Sequence, residues 1–365
     1  MHVKYIHILW FDESRFSGML IDLLNNTPAL FHKEEHLFVT PYERTFQSFP
    51  GVDNIELYHT SKPQSADIIN AVAPRCDWII MHGICSWREV LRIKPRYLGK
   101  IVWRTWGGNK LATSFHNKGM IRMLVKKALH SIAVRRVNQF AAVGIHNIVD
   151  QFELEKIISK PPMYILPYWQ KGRHDTLSKM VLKKPVQNKK AVNVMIGHSG
   201  YYEDHHISIM KDLEKFKNEA IHIYLVLAYG DRNYVNEIKE YALSTWKDKV
   251  TVIEDYKRYN EYVSFLDAID IAILDSPVQN ALGTIALLLF LQKKIYLNPD
   301  GVMYRAFQHY NIPCGTVDSI GGSLFSDFSA PVEYPNDSWK MLSVETDDYC
   351  YGCWTQLLHD LDGRR

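Results

Sequence analysis

Residues Val192 to His206 read VNVMIGHSGYYEDHH. An apolar run ends at Ile196, Gly197 and Gly200 allow tight turns, and a helix pattern begins near Glu203 or Asp204. Apolar strand, glycine-bearing turn and helix make the βα unit of a parallel sheet. Such a turn leads into a helix N-terminus with unpaired N–H groups and a positive dipole end, a setting for a diphosphate. The stretch holds neither G-x-x-x-x-G-K nor G-x-G-x-x-G, so no nucleotide fingerprint is spelled out. His205 and His206, adjacent on a helix, point about 100° apart and cannot easily share one ion. No metal is therefore expected. One histidine serving as anion ligand or acid/base, and plain exposed histidines at a helix start, are both open readings.

The rhythm continues outward from this unit. Strand candidates 192–197, 221–229, 249–254, 269–274 and 293–298 alternate with helix candidates near 204–217, 232–245, 259–267, 281–292 and 301–309. The first half repeats the pattern, with strands expected at 4–10, 36–40, 77–82, 100–106, 139–144 and 163–168 and helices near 14–26, 64–72, 119–136 and 145–156. Runs apolar on both faces between helices indicate parallel strands covered on each side. At 365 residues the chain exceeds one ordinary core. The expected organisation is α/β, with two Rossmann-like domains facing each other across a cleft. Residues 1–170 form an N-terminal domain, 171–191 a basic linker, 192–335 a second domain and 336–365 closing helices.

Hydrophobic residues at 47% and charged residues at 23% fit a globular chain, and a net charge of +3 gives no ground for a nucleic-acid partner. Of Cys76, Cys85, Cys314, Cys350 and Cys353, the last two form a single C-x-x-C, without the two further ligands a zinc site needs and without the early strand that precedes a thioredoxin motif. They read as free thiols, in keeping with a cytoplasmic setting. No apolar run reaches the roughly 20 residues of a membrane span. The N-terminus reads as a first strand and not as a signal peptide.

Ligands of doubly wound sheets lie at the carboxyl ends of the strands. There the first half places Asp12 and Glu13, base candidates or a helix cap, along with His82 and the turn Trp106-Gly107-Gly108-Asn109. The second half places Gly197, Ser199, Gly200, Tyr229, Gly230, Gln279, Asn280, Gly283 and Thr284. Gly283 lies in the first turn of an apolar helix, where it permits either close approach of a ligand or tight packing. Helix 119–137 carries apolar residues at helical spacing beside Arg122, Lys126, Lys127, Arg135 and Arg136. That pattern fits an anionic membrane surface as well as it fits core packing.

Gly197-His198-Ser199-Gly200, then His205-His206-Ile207, Tyr229-Gly230 with Tyr234, Gln279 to Thr284, and Asn298 together resemble the Fuc4NAc (4-acetamido-4,6-dideoxygalactose) transferases of enterobacterial common antigen synthesis and related polysaccharide transferases. His82-Gly83, Trp106-Gly107 and Trp354 extend the likeness more sparsely. The resemblance implies a GT-B-type enzyme, with the nucleotide sugar bound by the second domain and the acceptor by the first. The implied reaction is metal-independent transfer of a sugar from a nucleotide diphosphate to a lipid-linked acceptor at the inner membrane face, without a cofactor. It implies donor contacts from Ser199, Gly200, Gln279, Asn280, Gly283 and Thr284, leaving-group assistance from His206, and acceptor contacts from His82, Trp106 and Gly107. Asn109 departs from the family's acid at that position, and is expected on the acceptor side from its place in the turn after the strand. His198 and His205 stand where the family has asparagine and aspartate, and are the histidines least expected to matter. A non-catalytic nucleotide-sugar binder is the alternative reading.

Overall fold

The computed structural model describes the chain except residues 1, 11–13, 29, 61–63, 84–85, 106–119, 168–190, 336–337, 339–346 and 365. It divides into two compact units, Met1–His174 with Glu345–Arg365, and Asp175–Val344. The segment expected to be a linker lies almost wholly outside the described residues.

The first unit holds seven strands: β1 Val3–Leu9, β2 His36–Thr40, β3 Ile55–Leu57, β4 Cys76–His82, β5 Ile101–Arg104, β6 Ala142–Ile145 and β7 Met163–Ile165. All pair in parallel, in the order β3-β2-β1-β4-β5-β6-β7. Alternate residues serve opposite faces. Ile6, Ile8, Ile79 and Met81 join one core cluster with the helix Ser65–Val72. Tyr5, Leu9, Trp78 and Ile80 join another with the helix Ser14–Asn25.

That second face is completed by the C-terminal helix Asp347–Asp362, whose Trp354, Leu357 and Leu361 are buried in the same cluster. The sequence treats the tail as a segment of its own. The structure makes its helix part of the first unit, because the sheet face beneath it has an apolar surface that needs cover. Cys76 and Cys350 are buried free thiols, and Cys314 and Cys353 are half-buried ones.

The second unit holds β8 Val192–Ile196, β9 Ile221–Val226, β10 Val250–Ile253, β11 Ile271–Leu274, β12 Lys294–Leu297 and β13 Gly315–Thr316. These are parallel, in the order β10-β9-β8-β11-β12-β13. The chain winds one way from β8 to β9 and the other way from β11, so the order reverses between β8 and β11. A crevice at the carboxyl ends of strands opens at such a reversal.

Helix Met120–Val137 buries Ala133 and Val137 against the first unit while Leu124, Val125, Leu129 and Ile132 stay exposed. Among the described residues, no helix is long and apolar enough to cross a membrane.

Candidate functional site

The loop after β8 is built around its two glycines. Gly197 has φ +66°, and a Cβ there would fall 2.3 Å from His206 Nε2. Gly200 forms a parallel bridge with Gly230 in the loop after β9. A side chain on Gly230 (φ +141°) would meet the Gly200 backbone at 2.3 Å. The Gly197 amide donates to the Ile273 carbonyl at 2.9 Å and the Gly200 amide to Tyr229 at 2.6 Å. These two amides are therefore taken up by the fold. The sequence expects Gly200 to present its backbone to a phosphate. In the structure it and Gly230 instead let two loops approach.

Ser199 is likewise turned inward. It is 1% exposed, and its hydroxyl donates to Asp204 Oδ2 at 2.7 Å. Its proton is not available to a phosphate. Asp204, also 1% exposed, receives Asn280 Nδ2 on its other oxygen at 3.0 Å. His198 Nδ1 stands 3.3 Å from Oδ2, close beside the carboxylate but outside hydrogen-bond geometry. Burial pushes the Asp204 carboxyl up, but His198, Ser199 and His206 outweigh it and hold the pKa below the usual value. A buried carboxylate thus joins the loops after β8 and β11 across the point of strand reversal.

The helix starts later than the sequence suggests. A 3-10 turn covers Tyr202–Asp204, His205 adopts φ 45°, and the α-helix runs His206–Leu213. This offset sends the two adjacent histidines to different places. His205 Nδ1 lies 2.9 Å from Asp275 Oδ2, and Asn298 donates to Asp275 Oδ1 at 2.7 Å.

His206 is fully buried beside the Tyr234 ring, with no hydrogen-bond partner at either ring nitrogen. Burial lowers its pKa to about 4, with Asp204 opposing, so the imidazole is neutral near pH 7. A neutral, enclosed ring does not reach a leaving group directly. The role expected of His206 is not supported by its position.

The loop after β11 leads through Gln279 and Asn280, both half-buried, to Ala281 at φ 53° and the helix Leu282–Phe290. A Cβ on Gly283 would meet nothing within 4 Å, so the first turn faces open space. Thr284 is nearly buried and its hydroxyl pairs with that of Tyr262 at 2.9 Å. What this turn offers outward is backbone. Tyr229 is half-exposed, its ring edge-on to His198 and to Tyr201. Burial, Tyr262, Asp204 and Tyr201 raise its hydroxyl pKa to about 12, which keeps it a neutral donor.

In the first unit His82 does not line an open edge. It is fully buried, its Nε2 3.1 Å from His7 Nδ1, while His7 Nε2 lies 2.9 Å from His36 Nδ1. Trp354 packs over His7 and His82. The expected acceptor contact at His82 is thus a core element. Asp12, Glu13, Trp106, Gly107 and Asn109 lie outside the described residues.

Two parallel sheets and a strand-order reversal at β8/β11 make the chain similar to known proteins. Residues 3–318 match the family described as 4-alpha-L-fucosyltransferase, glycosyl transferase group 56. The chain belongs to that family. It is a glycosyltransferase of the group, built on the GT-B fold.

Solved structures share the fold at low identity. A glycosyltransferase from Rickettsia africae is 11% identical with a TM-score of 0.58, covering 99% of this chain and 98% of its own. HepE from Anabaena, solved with UDP and glucose, is 12% identical with a TM-score of 0.58, covering 98% and 100%. A UDP-forming alpha,alpha-trehalose-phosphate synthase from Burkholderia xenovorans is 10% identical with a TM-score of 0.58, covering 99% of each chain.

Sequence reasoning passes over Asp204, the residue on which the site turns. One signal was available. The family's aspartate falls at the position of His205, and this chain carries an acid one residue earlier.

Proposed function

We propose that the protein moves a sugar from a nucleotide diphosphate, a UDP- or dTDP-sugar, to a lipid-linked or glycan acceptor in the synthesis of a bacterial surface polysaccharide, O-antigen or capsule. The observation that carries this reading is the β8/β11 strand reversal of a chain in this family, where the helix that begins at Leu282, with open space at Gly283, follows a loop that Asn280 ties to Asp204. Backbone N–H groups and the helix dipole there are suited to the diphosphate. Tyr229, Gln279 and Asn280 border the same strand ends and are assigned to the donor. The leaving diphosphate is stabilised without a metal, by helix ends and side chains acting in place of a cation. Asp12 or Glu13 supplies the base if the displacement inverts, and Trp106, Gly107 and Asn109 shape the acceptor side. Of the finer alternatives, transfer of a deoxyaminohexose such as Fuc4NAc follows the motif likeness, and transfer of fucose follows the family description.

The exposed apolar residues Leu124, Val125, Leu129 and Ile132, flanked by Arg122 and Arg135, support peripheral attachment to the anionic inner face of the cell membrane. HepE's complex with UDP makes uridine nucleotides the first to try.

The test is incubation with UDP-, dTDP- and GDP-sugars in EDTA, on anionic and on neutral vesicles carrying lipid-linked acceptors. Release of nucleoside diphosphate in EDTA, faster on anionic vesicles, is expected. Thr284→Val, which removes the hydroxyl held by Tyr262, lowers turnover about tenfold. Tight binding without turnover under every condition would make the protein a nucleotide-sugar binder instead.

A further inference from the structure

The serine and the third histidine of the β8 loop are both buried, which changes the question of which side chain meets the donor. Ser199 gives its proton to Asp204, His206 is enclosed, and His205 is engaged with Asp275. His198 remains. Its Nδ1 is buried against Asp204 Oδ2, while the side chain keeps 12% of its surface open, so the exposed part is the rest of the ring. The ring is steadied on another side by the edge of Tyr229, 6.0 Å between centroids. Asp204 is in turn fixed by Ser199 and Asn280. An imidazole whose one nitrogen is held by a carboxylate has its orientation set and its other nitrogen directed to a ligand.

We propose that His198, oriented by Asp204, is the side chain of the β8 loop that contacts the donor's diphosphate, with Asp204 as its positioning residue. The inference rests on the donor reading above. In that contact Nδ1 faces Asp204 and the ring's other nitrogen donates to a diphosphate oxygen. When the bond from the sugar carbon to that oxygen breaks, the electron pair stays on the diphosphate, and the hydrogen bond strengthens as charge accumulates there.

The test is calorimetric titration with UDP, dTDP and GDP and with the matching nucleosides, on wild type, His198→Ala, His198→Asn and Asp204→Asn. For the nucleotide that wild type binds, His198→Ala weakens the diphosphate about tenfold, as loss of a charge-assisted hydrogen bond should. The nucleoside, which lacks phosphates, keeps its affinity. His198→Asn falls between, and Asp204→Asn weakens the diphosphate but not the nucleoside. His198→Asn preserves a polar side chain, so it carries the measurement should the alanine variant fail to fold. Unchanged diphosphate affinity in both His198 variants overturns the inference, as does equal loss of nucleoside and diphosphate. Wild type that binds none of the diphosphates overturns the donor reading itself, and this inference with it.

Discussion

Each unit of the molecule buries histidines, and it does so in opposite ways. In the first, His36, His7 and His82 stand on the neighbouring strands β2, β1 and β4, and both nitrogens of His7 pair with its neighbours beneath Trp354, while His82 Nδ1 is left without a hydrogen-bond partner. In the second, His206 has no hydrogen-bond partner at either ring nitrogen, and His198 leans on a carboxylate that two other side chains, Ser199 and Asn280, share. A row of imidazoles paired with one another is a polar strut within a core. His198, beside a carboxylate and partly open, is the histidine proposed above for the donor. The contrast sets these two arrangements apart, a distinction residue type alone does not make.

The largest effect should come from the centre of the strut. His7→Ala leaves His36 Nδ1 and His82 Nε2 without partners and opens a cavity under Trp354. A loss of about 3–5 kcal/mol is expected, combining the cavity with two orphaned polar groups. Urea unfolding of the whole chain measures it. Donor affinity of the fraction that remains folded should be unchanged, since the strut lies in the other unit. A loss below about 1 kcal/mol would mean the three rings are not a unit.

Acid should separate the two regions next. Burial lowers the pKa of His36 to about 4 and of His82 to about 3, and pushes that of His7 well down as well. In each case the folded value lies below the unfolded value near 6.5. The stability these groups confer is therefore complete above about pH 6.5 and is lost as pH falls toward 4. Each buried ring costs about 1.4 kcal/mol per pH unit within that window. The second unit has His206 in the same condition, at about 4, with His222 lowered less deeply buried. Asp204 acts outside the window, since its pKa is already below the ordinary carboxylate value. Scanning calorimetry between pH 7 and 4.5 should show the first unit's transition falling faster than the second's. Equal slopes would remove the distinction.

How far these features can be read from the sequence depends on their range. The long strands are legible because apolar runs covered on both faces leave a local trace, as in His36–Thr40, where the expected and observed limits coincide. Ile55–Leu57 and Gly315–Thr316 leave none, being three and two residues long. The crevice was legible from the glycines, although their role was not. A glycine permits close approach by a ligand or by another loop, and only the pairing of Gly200 with Gly230 shows which. Asp204 was illegible as a buried hub because an acid before a helix reads locally as a favourable dipole contact. Its burial depends on Asn280, 76 residues away.

The smallest predicted effect bears most directly on where the diphosphate lies. Gly283 is in the first turn of a helix and a Cβ there would meet nothing within 4 Å. Gly283→Ala should therefore stabilise the protein by about 0.5–1 kcal/mol, since alanine suits a helix better and nothing obstructs it. If the donor's phosphates approach this turn, the same methyl group stands in their path, and the KM for the sugar nucleotide rises about threefold to tenfold with kcat less affected. Steady-state kinetics beside a thermal melt reads both quantities in one variant. Stabilisation together with a raised KM places the anion at the turn, opposite His198. Stabilisation with an unaltered KM removes this turn from the donor site and leaves the Asp204 side of the crevice to hold the diphosphate alone.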